Sequence, residues 1–109
     1  MNEIQEYRKA SVIAALGKSN ACITENEVTE CDSYNYNLWC PDIDSNQREM
    51  IEDWLIKEGV LITIGSDEEG AYVLFYEILR GEPVCVVKVT DKSKSIAFMK
   101  AFMKYLKLK

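Results

Sequence analysis

The chain has 109 residues, 48% of them hydrophobic and 28% charged, with 13 basic and 18 acidic groups and a net charge of −5. This is the length of one folded domain with a core of its own, so a single domain over residues 1–109 is expected. Histidine is absent, which excludes serine–histidine and cysteine–histidine nucleophile pairs, a histidine base and histidine metal ligands, and no run of about 18 apolar residues exists to span a bilayer.

Residues 2–16 read as an amphipathic helix, with Tyr7, Ala10, Ala14 and Ala15 at helical spacing and Gly17 as its stop. Thr24-Glu25-Asn26-Glu27 matches a capping box and predicts a short helix through about Cys31. The same stretch also suits a polar hairpin, because Ile23, Thr24 and Val28 favour strands. Tyr34, Tyr36, Leu38 and Cys40 alternate with polar neighbours and Trp39, which predicts an extended segment ended by Pro41.

Asp44 or Ser45 caps the next predicted helix. Its apolar stripe is Met50, Ile51, Trp54 and Leu55, and Gly59 ends it. Val60 to Ile64 is a β-branched run, and residues 65–70 form a polar turn. Ala71 to Leu79 is apolar on both faces apart from Glu77, which predicts a central strand covered on both sides. Arg80 to Pro83 is a turn, and Val84 to Thr90 a third strand. Asp91 caps a final helix over about 92–108, with Ile96, Met99, Phe102, Met103 and Leu106 on one stripe and Phe98, Ala101, Tyr105 and Leu108 beside it. The expected fold is α+β. A three-stranded antiparallel meander carries helices packed on it, in the order helix, strand, strand, strand, helix from residue 44, preceded by the N-terminal helix.

Charge is distributed unevenly. Residues 19–87 carry fifteen acidic groups against Arg48, Lys57 and Arg80, whereas residues 88–109 carry seven lysines against Asp91. The middle of the chain therefore repels nucleic-acid phosphates and attracts basic surfaces. Two clusters stand out. The first combines Glu25, Glu27, Glu30 and Asp32 with the aromatic residues Tyr34, Tyr36 and Trp39, the composition of a binding surface with buried anchors. Packing of Trp39 and Tyr36 on a sheet edge explains the aromatic residues equally well. The second is Asp67, Glu68 and Glu69 in the predicted turn, a docking tip for a basic partner or simply a solvated hairpin.

No catalytic constellation is visible, and no cofactor is expected. Cys22, Cys31, Cys40 and Cys85 lack the close pairing of zinc ligands. Met1-Asn2-Glu3 does not open a secretory leader, so a cytoplasmic location and four reduced thiols are expected. Asp42-Ile43-Asp44-Ser45-Asn46 begins like a calcium loop, but Gln47 and Asp53 stand where glycine and glutamate are needed. Gly65 and Gly70 have the spacing of a phosphate loop, without its lysine and with three carboxylates between them. The lysines of the last helix read as its wet face, several of them suiting the C-terminal dipole.

Residues 36–107 resemble a group of small phage proteins with an α-β-α sandwich domain, of the NinX type. The resemblance is carried by Asn37-Leu38-Trp39, by Pro41-Asp42-Ile43-Asp44 ahead of a helix containing Trp54, and by Asp91 opening a final apolar helix. It implies a phage or prophage accessory protein and no catalytic residues, and the long 72–79 strand departs from its pattern.

The function expected from these features is a non-catalytic acidic module. It would mask the nucleic-acid-binding or catalytic face of a basic partner, a host defence protein or a toxin, as anti-defence or immunity proteins do. It would bind no nucleic acid directly and no membrane; the oligomeric state is open, a dimer included. One alternative is a winged-helix DNA-binding regulator, with helices near 3–16, 25–31 and 44–58 before a hairpin wing, although acidic groups line both contact elements. The other is a structural phage accessory protein.

Overall fold

The structure is a computed structural model. It describes residues 3–24, 27–31 and 36–108, with Cys31 and Tyr36 described through their backbone alone. The chain divides into two compact units, Met1–Trp54 and Leu55–Lys109. The fold class is α+β, as expected: among the described residues there are three α-helices and two three-stranded antiparallel sheets. Among the described residues no helix is long and apolar enough to cross a membrane.

In the first unit α1 (Glu3–Leu16) ends where the Gly17 amide donates to the Ile13 carbonyl at 3.0 Å. A 3-10 turn at Lys18–Asn20 then leads into β1 (Ala21–Ile23), β2 (Val28–Cys31) and β3 (Tyr36–Leu38), a small sheet in the order β1-β2-β3. Two expectations are corrected here. Residues 28–31 are strand and not helix, so the middle helix of the winged-helix alternative is missing. The meander also has a second sheet for company. The reason lies in Thr24. Its hydroxyl does accept from the Glu27 amide, at 3.0 Å, as a cap would. Its own amide, however, donates to the Glu27 carbonyl at 2.9 Å, closing a hairpin in which Ile23 pairs with Val28. A threonine–amide bond three residues apart serves a turn as well as a helix start.

α1 lies against β1 and β2, burying Tyr7, Ser11 and Val12. α2 (Ser45–Lys57) starts on Asp44, whose Oδ1 accepts from the amides of Asn46 at 2.9 Å and Gln47 at 3.2 Å. An aspartate here satisfies amides that the first turn leaves open and opposes the positive end of the helix dipole. Ile51 and Leu55 are fully buried, while Met50 and Trp54 are half-buried.

The second unit is built on β4 (Val60–Asp67), β5 (Gly70–Leu79) and β6 (Glu82–Asp91), in that spatial order. The first turn is shorter than expected. Ser66 pairs with Ala71 and Asp67 with Gly70, leaving only Glu68 and Glu69 in the loop. Arg80 and Gly81 form the second two-residue turn, both with positive φ, 54° and 81°, the conformation that matches the twist of a hairpin. Pro83 is accepted because β6 is an edge strand and its missing amide leaves no ladder gap. A bulge interrupts the β5–β6 register between Phe75 and Tyr76.

α3 (Lys94–Lys107) packs on β5 and β6. Ala97, Phe98, Met99, Ala101, Phe102 and Tyr105 are its buried residues. Phe75 meets Phe98 edge-to-face at 5.9 Å between ring centres and Tyr105 at 6.1 Å. The helix starts two residues later than expected, because Ser93 is the cap and accepts from the Ile96 amide at 3.4 Å. Asp91 has another task. Its Oδ1 accepts from the Ser93 amide at 3.3 Å and its Oδ2 from Lys100 Nζ at 2.8 Å, tying the end of β6 to the middle of α3.

The Lys100 ammonium, and then the Ser93 amide, hold the Asp91 carboxyl below its ordinary value of 3.8. A lowered folded value means that Asp91 contributes stability above its unfolded pKa and loses it as pH falls through the folded one. The loss of that stability is therefore confined to acid below the usual carboxylate range. A carbon-13 titration of the Asp91 carboxyl is expected to give a midpoint under 3.8, moved upward by Lys100→Ala. A midpoint at or above that value would show that the pair does not form in solution.

Candidate protein-interaction surfaces

In the first unit one member of the expected aromatic cluster, Trp39, belongs to the core and not to a surface. Trp39 is fully buried, with Nε1 donating to Ser11 Oγ at 2.9 Å and its amide to the Val28 carbonyl at 2.7 Å. Its role as a docking anchor is corrected: the ring fills the core between α1 and β2 and has no area left for a partner. The alternation of residues 34–40 pointed Trp39 away from its tyrosine neighbours, but it could not say which side was wet. Glu25, Asp32, Tyr34 and the Tyr36 side chain lie outside the described residues. Glu27 is exposed beside the hairpin turn, and Glu30 is half-buried on β2.

The segment following Trp39 is fixed by two side chains that sequence reasoning did not single out. Arg8 grips Asp42 with two bonds, Nε to Oδ1 at 2.8 Å and Nη2 to Oδ2 at 2.9 Å. Gln47 is buried, with Nε2 donating to the Leu38 carbonyl at 2.8 Å and Oε1 accepting from the Cys40 amide at 2.7 Å. The carboxylates of the calcium-like stretch are therefore engaged, Asp42 by a guanidinium and Asp44 by helix amides. Planar bidentate pairing is what guanidinium does best. No periodicity announces such a pair, because its members are 34 residues apart.

The thiols also differ from expectation. Cys22 is disulfide-bonded, while Cys40 and Cys85 are free. This corrects the expectation of four reduced thiols. Disulfides persist in oxidising compartments and are rare in the cytosol. Burial pushes the Cys40 thiol up, opposed by Arg8 and reinforced by Asp42 and Asp44, so it is a poor nucleophile.

Acidic groups are concentrated in the first unit, where eleven face only four basic ones, a net −7, against a net +2 for residues 55–109. On α2, Glu52 sits in a crowd. Burial raises its pKa first, Arg48 opposes this, and the neighbouring Glu49 and Asp53 raise it further. Neighbouring carboxylates of this kind form a field that favours an incoming cation.

The second expected cluster is where it was placed. Asp67, Glu68 and Glu69 are all exposed at the β4–β5 turn, and the Glu69 amide donates to Asp67 Oδ1 at 2.8 Å. None of the three is in an ion pair with a described residue. Asp67 and Glu69 line a cleft of about 350 Å³ together with Thr90, Asp91 and Lys92. The two expected clusters belong to different compact units. Among the described residues no group of three or more histidine, cysteine, aspartate or glutamate side chains is arranged to hold a metal. Comparison with family models, with curated proteins and with solved structures gives no match, so the chain's own surfaces carry the functional argument.

Proposed function

We propose that the protein is a non-catalytic binding module that docks a basic partner protein and masks that partner's nucleic-acid-binding or catalytic face. The observation that supports this best is the β4–β5 turn. Three successive carboxylates stand exposed there without an ion-pair partner among the described residues. Uncompensated surface charge of one sign costs some stability and speeds encounter with the opposite sign. The resemblance to small phage proteins suits a phage or prophage accessory role of the anti-defence or immunity kind.

Affinity capture from a bacterial lysate, eluted by salt, supplies the partner, and association kinetics then test the mechanism. The association rate is expected to fall about tenfold or more between low and high salt, since charges separated by more than about 10 Å are screened at physiological strength. Reversing Asp67, Glu68 and Glu69 to lysine is expected to slow association while leaving the melting temperature within a few degrees, as exposed turns tolerate substitution. Salt-independent association, an unchanged rate after reversal, or tight binding to bare duplex DNA would each reject the reading.

A further inference from the structure

The β4–β5–β6 sheet has one face covered and one face open. Its inner face, with Val73, Phe75, Val87 and Val89, lies under α3 and is buried. Its outer face is apolar as well. Register places Tyr72 opposite Gly65 and Thr90, Leu74 opposite Thr63 and Lys88, and Tyr76 opposite Leu61 and Cys85. A Cβ at Gly65 would overlap the Tyr72 ring, so that ring packs directly over Gly65 of β4. Leu61 and Ile78 are each 51% exposed, while Tyr72, Leu74 and Tyr76 are half-buried. The sequence of β5 calls for cover on both sides, and its own unit supplies a helix to only one.

The acidic turn belongs to this open face. A cleft of about 360 Å³ is lined by Asp67, Glu69, Tyr72, Leu74, Lys88 and Thr90. Apolar side chains along β5 therefore run up to two carboxylates at the turn. The covered face has the same layout, and there the chain shows what fits it. α3 sets an apolar stripe on β5, and its Lys100 binds Asp91 at the turn end of the sheet. Lys88, on β6 opposite Leu74, restricts further cations on the open face to the turn end.

We propose that the open face seats an amphipathic helix of the basic partner, laid along β5 with its cationic end against Asp67 and Glu69. This rests on the reading of a basic partner given above and adds the apolar contact and the form of the bound segment. Burial of Tyr72, Leu74 and Tyr76 holds the complex, and the carboxylates fix the direction of the helix.

The test uses two synthetic helical peptides of about 14 residues, the length of α3. Both carry a leucine stripe; one has lysines in its last turn and the other has glutamates there. Binding to the full chain is read by fluorescence anisotropy and by amide chemical-shift mapping. The lysine peptide is expected to shift amides of β5 and of residues 67–69, and to bind at least about tenfold more tightly than the glutamate peptide. Leu74→Glu and Tyr76→Ser are expected to weaken it about tenfold or more, a loss typical of interface anchors. The shift map on the parent protein needs no variant, so a misfolded variant leaves the test intact. Shifts confined to the first unit, equal binding of the two peptides, or no binding of either would overturn the proposal. A concentration-dependent dimer abolished by Leu74→Glu would overturn it too, by seating a second copy on the face. The basic-partner reading survives those outcomes if reversal of residues 67–69 still slows the captured partner. It fails separately if that reversal has no effect.

Discussion

Phe98→Ala is expected to lower stability by about 3–5 kcal/mol, the range for truncating a buried aromatic residue. Phe98 is fully buried on α3 and meets Phe75 edge-to-face at 5.9 Å, and Phe75 meets Tyr105 in the same way. Truncation therefore removes transfer free energy, opens a cavity and ends an aromatic contact at once. A unit of this size has only about 5–15 kcal/mol in total and commonly less, so the variant should melt roughly 15–30 °C lower. Lys104→Ala on the same helix is the control. Lys104 is exposed, and surface changes of this kind stay within about 0.5 kcal/mol. Circular-dichroism melts of the two variants decide the matter. If they melt together, α3 is not part of the core and the second unit has been misread.

That helix was legible in the sequence because its signal is redundant. Six buried positions repeat at helical spacing over fourteen residues, and a slip of the cap from Asp91 to Ser93 changes nothing about the face. The β4–β6 meander was legible for the same reason: long β-branched and aromatic runs separated by short polar turns admit one pairing. The first unit was not. β1, β2 and β3 span three or four residues each, too few for a period to declare itself. What fixes them is long-range and specific: Arg8 on Asp42, Trp39 on Ser11, Gln47 on two backbone groups. Contacts of this kind leave no mark on local pattern. The candidate site divides in the same way. The 67–69 turn could be read because turns are local, whereas Trp39 was grouped with its neighbours in sequence although its ring is buried in the core. Cover on both faces of β5 was expected from its composition, whereas within its own unit α3 covers only one of them.

Trp39→Ala is the complementary experiment in the first unit, and it separates a core residue from a docking anchor. The indole is fully buried and donates to Ser11 Oγ at 2.9 Å, while that hydroxyl reaches the Arg8 carbonyl at 3.2 Å. Truncation is expected to cost about 3–5 kcal/mol through the cavity alone. Trp39→Phe keeps most of the apolar volume and removes only the donor, at about 0.5–1.5 kcal/mol. Ser11→Ala is the harsher half of the pair, because it leaves the indole N–H buried without its acceptor, at about 1–3 kcal/mol. Combining Trp39→Phe with Ser11→Ala removes both partners, so the double variant should be less destabilised than the sum of the singles. Urea unfolding followed by circular dichroism measures all four. A surface anchor behaves in the opposite way: Trp39→Ala would leave the unfolding midpoint in place and speed dissociation of a bound partner. An unshifted midpoint would return Trp39 to the surface and with it the whole Glu25–Trp39 cluster. A large shift with additive singles would keep Trp39 in the core but remove the hydrogen bond to Ser11 from the account of what holds α1 against the small sheet.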